Sequence, residues 1–360
     1  MEYQYKYLHV IFYNDINFYV SLINGINKNP LLMPMQHFFI TDKEIVYDKI
    51  KKYNNTLLIK STHLLKYMRN AKWIIFHAMP LKKWQFCCLP NSLCKRIVWR
   101  TWGHDIRPCV KTGRKLYDYL KKVEFKLFVY KIKKIYALGV ANLIDVVNFE
   151  ETYKFTIKSF LMEYTDSSES AQIVKNISPL RSNNGINILI GHNCSPVDNH
   201  LEVLNSLARF KNDNVHLVIP LSYSDPKNGY KEQVIKKAYD IFGKDKVTIL
   251  NDFIPYEQYV KMISQIDVAI MDMYYSNGLG NLDIILYYKK KLYIRKNGNM
   301  DKAFRREGIV PNYTCDISNS SFEELHEYKF DVNYLKFCES IYNEKFFENC
   351  WRKVMDECGD

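Results

Sequence analysis

The sequence predicts an α/β protein made of two doubly wound, Rossmann-like domains. Three observations carry this. Short β-rich apolar runs alternate with longer amphipathic segments along the whole chain, the pattern of parallel sheets built from βαβ units. The chain has 360 residues, enough for two domains at ~150 residues each. A polar stretch rich in Ser and Asn, residues 166–185, interrupts the alternation near the middle and reads as a linker.

In the first half the expected strands are 7–13, 37–41, 56–60, 73–77, 96–102 and 134–138. The runs 186–191, 215–221, 246–250, 267–271 and 292–295 are their counterparts in the second half. The division that follows is a first domain over 1–165, the linker, a second domain over 186–335, and a C-terminal segment, 336–360. Residues 335–354 carry Tyr, Phe and Trp at helical spacing with no strand after them. That segment is expected to pack back across the domain boundary. Two such domains create a cleft, and ligands of doubly wound sheets sit outside the carboxyl ends of the strands. Strand-end residues are therefore where chemistry is sought.

Composition excludes several classes. Apolar residues at 47% and charged residues at 25% exclude long disorder. No run of ~18 apolar residues occurs and the first residues lack signal-peptide character, so a cytoplasmic chain that does not span a membrane is expected. Nine cysteines at irregular spacings, without Cys-x-x-Cys, argue against a disulfide framework or a zinc site. The net charge of +12 is unevenly placed: residues 1–165 carry +15 and residues 166–360 carry −3. Such asymmetry points to an anionic partner for the first domain. The densest stretch, 111–134, interleaves nine Lys/Arg with aromatic and aliphatic residues. One or two helices there are expected to present a basic face beside an apolar one.

The sharpest motif is residues 186–210, where a buried strand ends at Gly191 and a polar loop leads into a helix near Asp198. Ser195, Asp198 and Asn199 are each suited to cap that helix. A strand, a small loop and an open helix N-terminus together suit a phosphate. A second such loop, residues 274–281, holds Gly278 and Gly280 ahead of a helix over 282–288. Two of them in one domain point to a nucleotide-diphosphate pocket. Tyr223 closes a third strand, where its ring can stack on a base or its hydroxyl bond a phosphate. In the first half His77 and Asp105 follow strands and are candidate general bases. No Asp-x-Asp occurs, so the metal clamp of one major glycosyltransferase architecture is missing. Walker, kinase, His-Glu-x-x-His and Gly-x-Ser-x-Gly motifs are missing too.

These residues form an ordered set: His9-Val10, Phe76-His77, Trp99-x-x-Trp102-Gly103-x-Asp105, Gly191-x(8)-His200, Val218-x-Pro220-x-x-Tyr223 and Gly278-x-Gly280. Over roughly residues 7–310 the set resembles the 4-acetamido-4,6-dideoxygalactose (Fuc4NAc) transferases, glycosyltransferase family 56. The resemblance implies a GT-B fold, in which the C-terminal domain holds a nucleotide-sugar and the N-terminal domain the acceptor. It implies transfer of an amino-deoxyhexose from a dTDP-sugar to a lipid-diphosphate-linked saccharide in surface polysaccharide synthesis. It also implies action at the inner face of the cytoplasmic membrane without insertion. By the same resemblance Gly191, Asn193, Ser195, Asn199, His200, Tyr223, Gly278, Leu279, Gly280 and Asn281 would bind the donor. Asp105, with His77 nearby, would serve the acceptor hydroxyl. No metal or cofactor is implied, and helix dipoles would offset the charge of the leaving group.

The first loop departs from the family's common Gly-Asn-Ser form, reading Gly191-His192-Asn193-Cys194-Ser195. Neither loop contains Arg or Lys, so a cation at the diphosphate would come from elsewhere, such as Lys227 or Arg295. The alternative reading is a non-catalytic nucleotide- or sugar-phosphate-binding protein on the same scaffold. Nucleic-acid binding lacks any RNP, zinc-finger or helix-turn-helix context.

Overall fold

A computed structural model describes residues 3–14, 16–106, 115–164, 168–179, 185–275, 278–327, 331–340 and 345–359. The chain divides into two compact units, Met1–Ser167 with Glu344–Asp360, and Ser168–Asn343. Each holds one parallel sheet.

The first sheet comprises β1 (Tyr5–Ile11), β2 (His37–Thr41), β3 (Thr56–Leu58), β4 (Ala71–His77), β5 (Ile97–Arg100), β6 (Ala137–Val140) and β7 (Ser159–Leu161). Its order is β3-β2-β1-β4-β5-β6-β7. The second comprises β8 (Ile186–Ile190), β9 (Val215–Pro220), β10 (Val247–Leu250), β11 (Val268–Met271), β12 (Lys291–Ile294) and β13 (Asn312–Tyr313), in the order β10-β9-β8-β11-β12-β13. Every pairing is parallel. In both sheets the chain starts in the middle, winds one way and then the other. The order therefore reverses beside the first strand of each unit, between β1 and β4 and between β8 and β11, where such folds bind ligands.

Sheets covered on both faces need apolar residues on both sides of each strand. Trp99, Phe76 and Leu138 pack with Phe86, Phe128 and Phe149 on one face of the first sheet. Tyr7, Phe39, Ile75 and Val98 pack with Tyr19, Leu22 and Trp351 on the other. Burying each of these large side chains is worth about 1.5–3 kcal/mol. Trp351 belongs to the helix Phe346–Glu357, and its indole Nε1–H donates to Glu163 O at 2.8 Å.

The structure differs from the sequence expectations in four places. The edge strands β7 and β13, three and two residues long, are too short to show alternation. The strand expected at 134–138 begins later, at Ala137, because the helix Lys115–Ile132 and its terminal turn run on through Lys134. Part of the expected linker is the helix Ser168–Asn176, which joins the second unit. The segment 335–354 is not one helix. Val332–Ser340 lies in the second unit, with Tyr334 OH donating to Lys290 O at 3.0 Å, while Phe346–Glu357 lies in the first.

Candidate functional site

In the second unit two loops leave the carboxyl ends of the neighbouring strands β8 and β11. The first begins at Gly191, whose backbone N–H donates to Ile270 O at 2.9 Å. Gly191 has φ +66°, and a β-carbon there would lie 2.7 Å from His200 Nε2 and 2.8 Å from Asp198 Oδ2. The loop then folds around the Asp198 carboxylate, which is fully buried. Oδ2 accepts the backbone N–H of His192 at 2.8 Å and of Asn193 at 3.3 Å, and lies 2.9 Å from His192 Nδ1. Asn193 bridges onward: its amide Nδ2 donates to His192 Nε2 at 2.9 Å, and its Oδ1 accepts Ser195 N–H at 2.7 Å.

The entry to the helix differs from the expected start at Asp198. Ser195 caps a short 3-10 turn, Pro196–Asp198, with its hydroxyl on Val197 N–H, and Pro196 presets the first turn. Asn199 then takes φ +52°, a left-handed conformation that Asn tolerates. The helix His200–Leu207 follows with no side chain capping it, because the Asn199 amide donates instead to Asp272 O. His200 is buried, with Nδ1 3.1 Å from Tyr230 OH, and burial pushes it down to about 4.

The second loop returns to the first at Gly278. With φ +68°, it precedes the helix Leu279–Tyr287, also without a side-chain cap. A β-carbon at 278 would overlap the His192 ring, with Cγ at 2.6 Å. His192 is thus held between the Asp198 carboxylate and the bare backbone of the second loop. Gly280 is exposed, with open space where a side chain would go, and Asn281 N–H donates to Gly278 O at 2.9 Å. Ser276 and Asn277 lie outside the described residues. Tyr223 is joined to the first loop through Cys194 N–H, which donates to Tyr223 O at 2.8 Å. Its ring stacks on Phe253 with centroids 5.5 Å apart and lies 6.2 Å from His192.

Sequence reading overlooked His192 and Asp272 as members of this site and took Asp198 only for a helix cap. His192 and the buried Asp198 organise the first loop. Asp272, at the end of β11, takes Thr314 OH on Oδ1 and lies 3.5 Å from Arg295 through Oδ2; burial holds its carboxyl above the usual range. Arg295, half-exposed at the end of β12, is therefore oriented by Asp272 beside this pair of loops.

In the first unit a hydrogen-bonded histidine row crosses β2, β1 and β4, with His37 at the start of β2, His9 within β1 and His77 at the end of β4. His9 Nε2 lies 2.8 Å from His37 Nδ1, His9 Nδ1 lies 2.9 Å from His77 Nε2, and His77 Nδ1 lies 2.8 Å from Tyr164 OH. Trp102 Nε1–H donates to the same Tyr164 oxygen at 3.1 Å. All three histidines are buried, and desolvation pushes His37 and His77 down to about 3 and His9 down as well. Both ring nitrogens of His77 are engaged within the protein, one on His9 and one on Tyr164. Asp105 is half-buried, with Oδ2 taking Trp99 Nε1–H at 2.9 Å and Met79 N–H at 3.1 Å, and Oδ1 taking Trp102 N–H at 2.9 Å. Trp102 thus links Asp105 to the histidine row. Asp145, in the first turn of the helix Leu143–Tyr153, was not foreseen: burial raises it to about 6, against the pull of Arg100.

A family model described as 4-alpha-L-fucosyltransferase glycosyl transferase group 56 matches residues 32–357. Among solved structures, a glycosyltransferase from Rickettsia africae is similar at TM-score 0.55 and 11% identity, covering 98% of this chain and 93% of that one. Anabaena HepE in complex with UDP and glucose is similar at TM-score 0.56 and 8% identity, covering 99% and 100%. A UDP-forming trehalose-phosphate synthase from Burkholderia vietnamiensis is similar at TM-score 0.55 and 9% identity, covering 98% and 99%. These likenesses establish the fold as GT-B.

Proposed function

The chain belongs to the glycosyl transferase group 56 family, and from that premise we propose that it moves an amino-deoxyhexose of the Fuc4NAc kind from a dTDP-sugar to a lipid-diphosphate-linked saccharide. It is a glycosyltransferase, a sugar transferase of GT-B fold. The proposed setting is surface polysaccharide assembly at the inner face of the cytoplasmic membrane. The observation that carries the donor half is the meeting of His192 with Gly278. Two loops close on each other at the β8/β11 reversal, and each leads into a helix whose first N–H groups no side chain caps. Backbone donors and two positive helix ends suit a nucleoside diphosphate.

In this reading Gly191, Asn193, Ser195, Asn199 and His200 form one wall of the donor site. Gly278, Leu279, Gly280 and Asn281 form the other, with Tyr223 and Phe253 offering an aromatic face to the base. The acceptor hydroxyl oxygen attacks the anomeric carbon, the bond from that carbon to the diphosphate oxygen breaks, and the hydroxyl proton passes to Asp105. The charge left on the diphosphate is met by the helix ends and by Arg295, which Asp272 orients. His77 acts through Tyr164 and Trp102 as a positioning residue. The missing Asp-x-Asp supports metal-independent chemistry.

HepE is described in complex with UDP and glucose, which supports a nucleotide-sugar donor. The test is calorimetric titration of the purified chain with dTDP, UDP, GDP and CMP, with and without EDTA. Micromolar binding of dTDP, insensitive to chelation and lost in Gly280→Asp, is expected. Binding of none of the four overturns the donor assignment.

A further inference from the structure

We infer that the outer face of the helix Lys115–Ile132 is a docking surface for anionic lipid, by which the first unit lies on a bilayer. The inference deepens the proposed membrane-borne acceptor and rests on it for its purpose, but the observations are those of one helix.

The inner side of the helix is ordinary. Phe128 and Ile132 are buried, and Phe128 meets Phe86 edge-on with centroids 5.4 Å apart. The outer side is not. From residue 117 to the end of the helix, every exposed position is aromatic, aliphatic or Lys. Tyr119, Val123, Leu127 and Tyr130, spaced by four, four and three, fall on one face. Tyr119 is 64% exposed and Leu127 54%. Lys122 and Lys126 flank the stripe, and Lys133 follows just beyond the helix; all three are exposed. The two acids of the helix are withdrawn: Asp118 and Glu124 are half-buried, and Glu124 takes Lys121 at 2.7 Å. The short helix Lys83–Cys87 packs alongside, its Lys83 lying 5.2 Å over the Phe125 ring, and adds Trp84, 56% exposed.

A helix that faces only water carries acids, amides and lysines on its outer side. One with Leu, Val, Tyr and Lys there, and no exposed carboxylate, leaves apolar surface in water unless something covers it. Charge complementarity names the occupant. Three exposed lysines without an exposed acid select an anionic surface. Leu127, Val123 and Leu120 gain only from an apolar medium, which a lipid bilayer offers just behind its phosphates and a nucleic-acid backbone does not. Tyr and Trp at the rim suit the interface between the two. The +15 charge of residues 1–165 acts in the same direction over a longer range.

The test is co-flotation of the purified full chain with vesicles of phosphatidylcholine alone or with about one-third phosphatidylglycerol. Binding to the anionic vesicles only is expected. At about 1 kcal/mol per lysine near the surface, a factor of about five each, the variant K122E/K126E/K133E should lose at least ~100-fold in partition. Leu127→Asp should lower partition without changing the preference for anionic lipid. Brominated lipid should quench tryptophan fluorescence of the native chain and quench Trp84→Phe far less. Thermal unfolding and nucleoside-diphosphate titration of each variant separate a misfolded chain, or a failed donor assignment, from a failed surface. Equal binding to neutral vesicles, or full binding by the triple variant, overturns the inference. So does a concentration-dependent dimer abolished by Leu127→Asp, or RNA binding without vesicle binding.

Discussion

The imidazole of His192 occupies the space that a β-carbon on Gly278 would need, with its Cγ 2.6 Å from that position. The two residues are 86 positions apart in sequence, yet they join the loop after β8 to the loop after β11 at the point where the strand order reverses. Each loop read alone is an ordinary turn into a helix. Their contact makes them one structure, with Asp198 fixing His192 from the other side.

Substitution at the two glycines of the second loop should therefore give opposite results. Gly278→Ala adds a methyl group into the His192 ring and puts a side chain at φ +68°. Overpacking costs about 1–3 kcal/mol and left-handed strain about 1 kcal/mol more. Scanning calorimetry should show a fall of several degrees, and titration should show nucleoside-diphosphate binding lost. Gly280→Ala meets nothing within 4 Å, so its stability should stay within about 0.5 kcal/mol of the native chain. A tolerated Gly278→Ala removes the argument for a joined site.

Asp198→Ala should be the most damaging change in the first loop. Its carboxylate accepts the N–H groups of His192 and Asn193 and faces His192 Nδ1. The Asn193 amide donates to Nε2 on the far side of the same ring. Removal of the carboxylate strands these two buried N–H groups at about 1–3 kcal/mol each before relaxation. A loss of about 2–5 kcal/mol is expected in urea unfolding followed by circular dichroism. Asp198→Asn keeps one acceptor oxygen and should lose less.

The parallel sheets were legible because their strands are apolar on both faces and separated by amphipathic helices; the edge strands β7 and β13 were not, being only three and two residues long. Gly191 and Gly278 were visible in the sequence as strand-end and pre-helix glycines, and His200 only through the family resemblance. What could not be read was which side chains converge. His192 is an unremarkable loop residue until Gly278 is set against it, and Asp198 reads as a helix cap although its carboxylate points back into its own loop. His77 looked like a reactive strand-end residue. Only the register, with Ile11 opposite His77 and Phe39 opposite His9, lines up His37, His9 and His77 across three strands. The split of the C-terminal region between the two units depends on long-range packing by Tyr334 and Trp351, which periodicity does not encode.

The histidine row makes the stability of the first unit fall with acid. His37 and His77 are held neutral down to about 3, and His9 is pushed down as well, whereas an unfolded His takes its proton near 6.5. Below ~6.5 the unfolded chain therefore binds protons that the folded unit refuses. Stability is full above that pH and declines by about 1.4 kcal/mol per pH unit for each such histidine. Asp145 acts in the opposite sense: raised to about 6, it takes a proton in the folded unit between about 6 and 4 and offsets one histidine there. Three against one leaves a net loss. All five tryptophans lie in the first unit, so tryptophan fluorescence during urea unfolding reports that unit by itself. The midpoint should drop from pH 7.5 to 5.5, and less steeply in His77→Gln. A midpoint independent of pH rules out neutral buried histidines.

Asp105 and His77 can be separated kinetically. If Asp105 takes the acceptor's proton, Asp105→Asn should lower kcat by about 10²–10⁴-fold while the donor diphosphate binds with unchanged Kd, because the donor loops belong to the other unit. The same variant disturbs three N–H groups, from Met79, Trp99 and Trp102, so some loss of stability accompanies it. Asp105→Glu distinguishes the two effects: a carboxylate restored at a longer reach should recover part of the turnover even if the packing suffers. His77 is linked to Asp105 through Tyr164 and Trp102. His77→Gln, which keeps a donor and an acceptor in the row, should cost far less than Asp105→Asn and should leave the pH profile of kcat/KM in place. If His77→Gln instead abolishes turnover and flattens that profile, the histidine row carries the proton. Undiminished turnover in Asp105→Asn would assign the base elsewhere, with Asp145, already raised to about 6, the next carboxylate to replace.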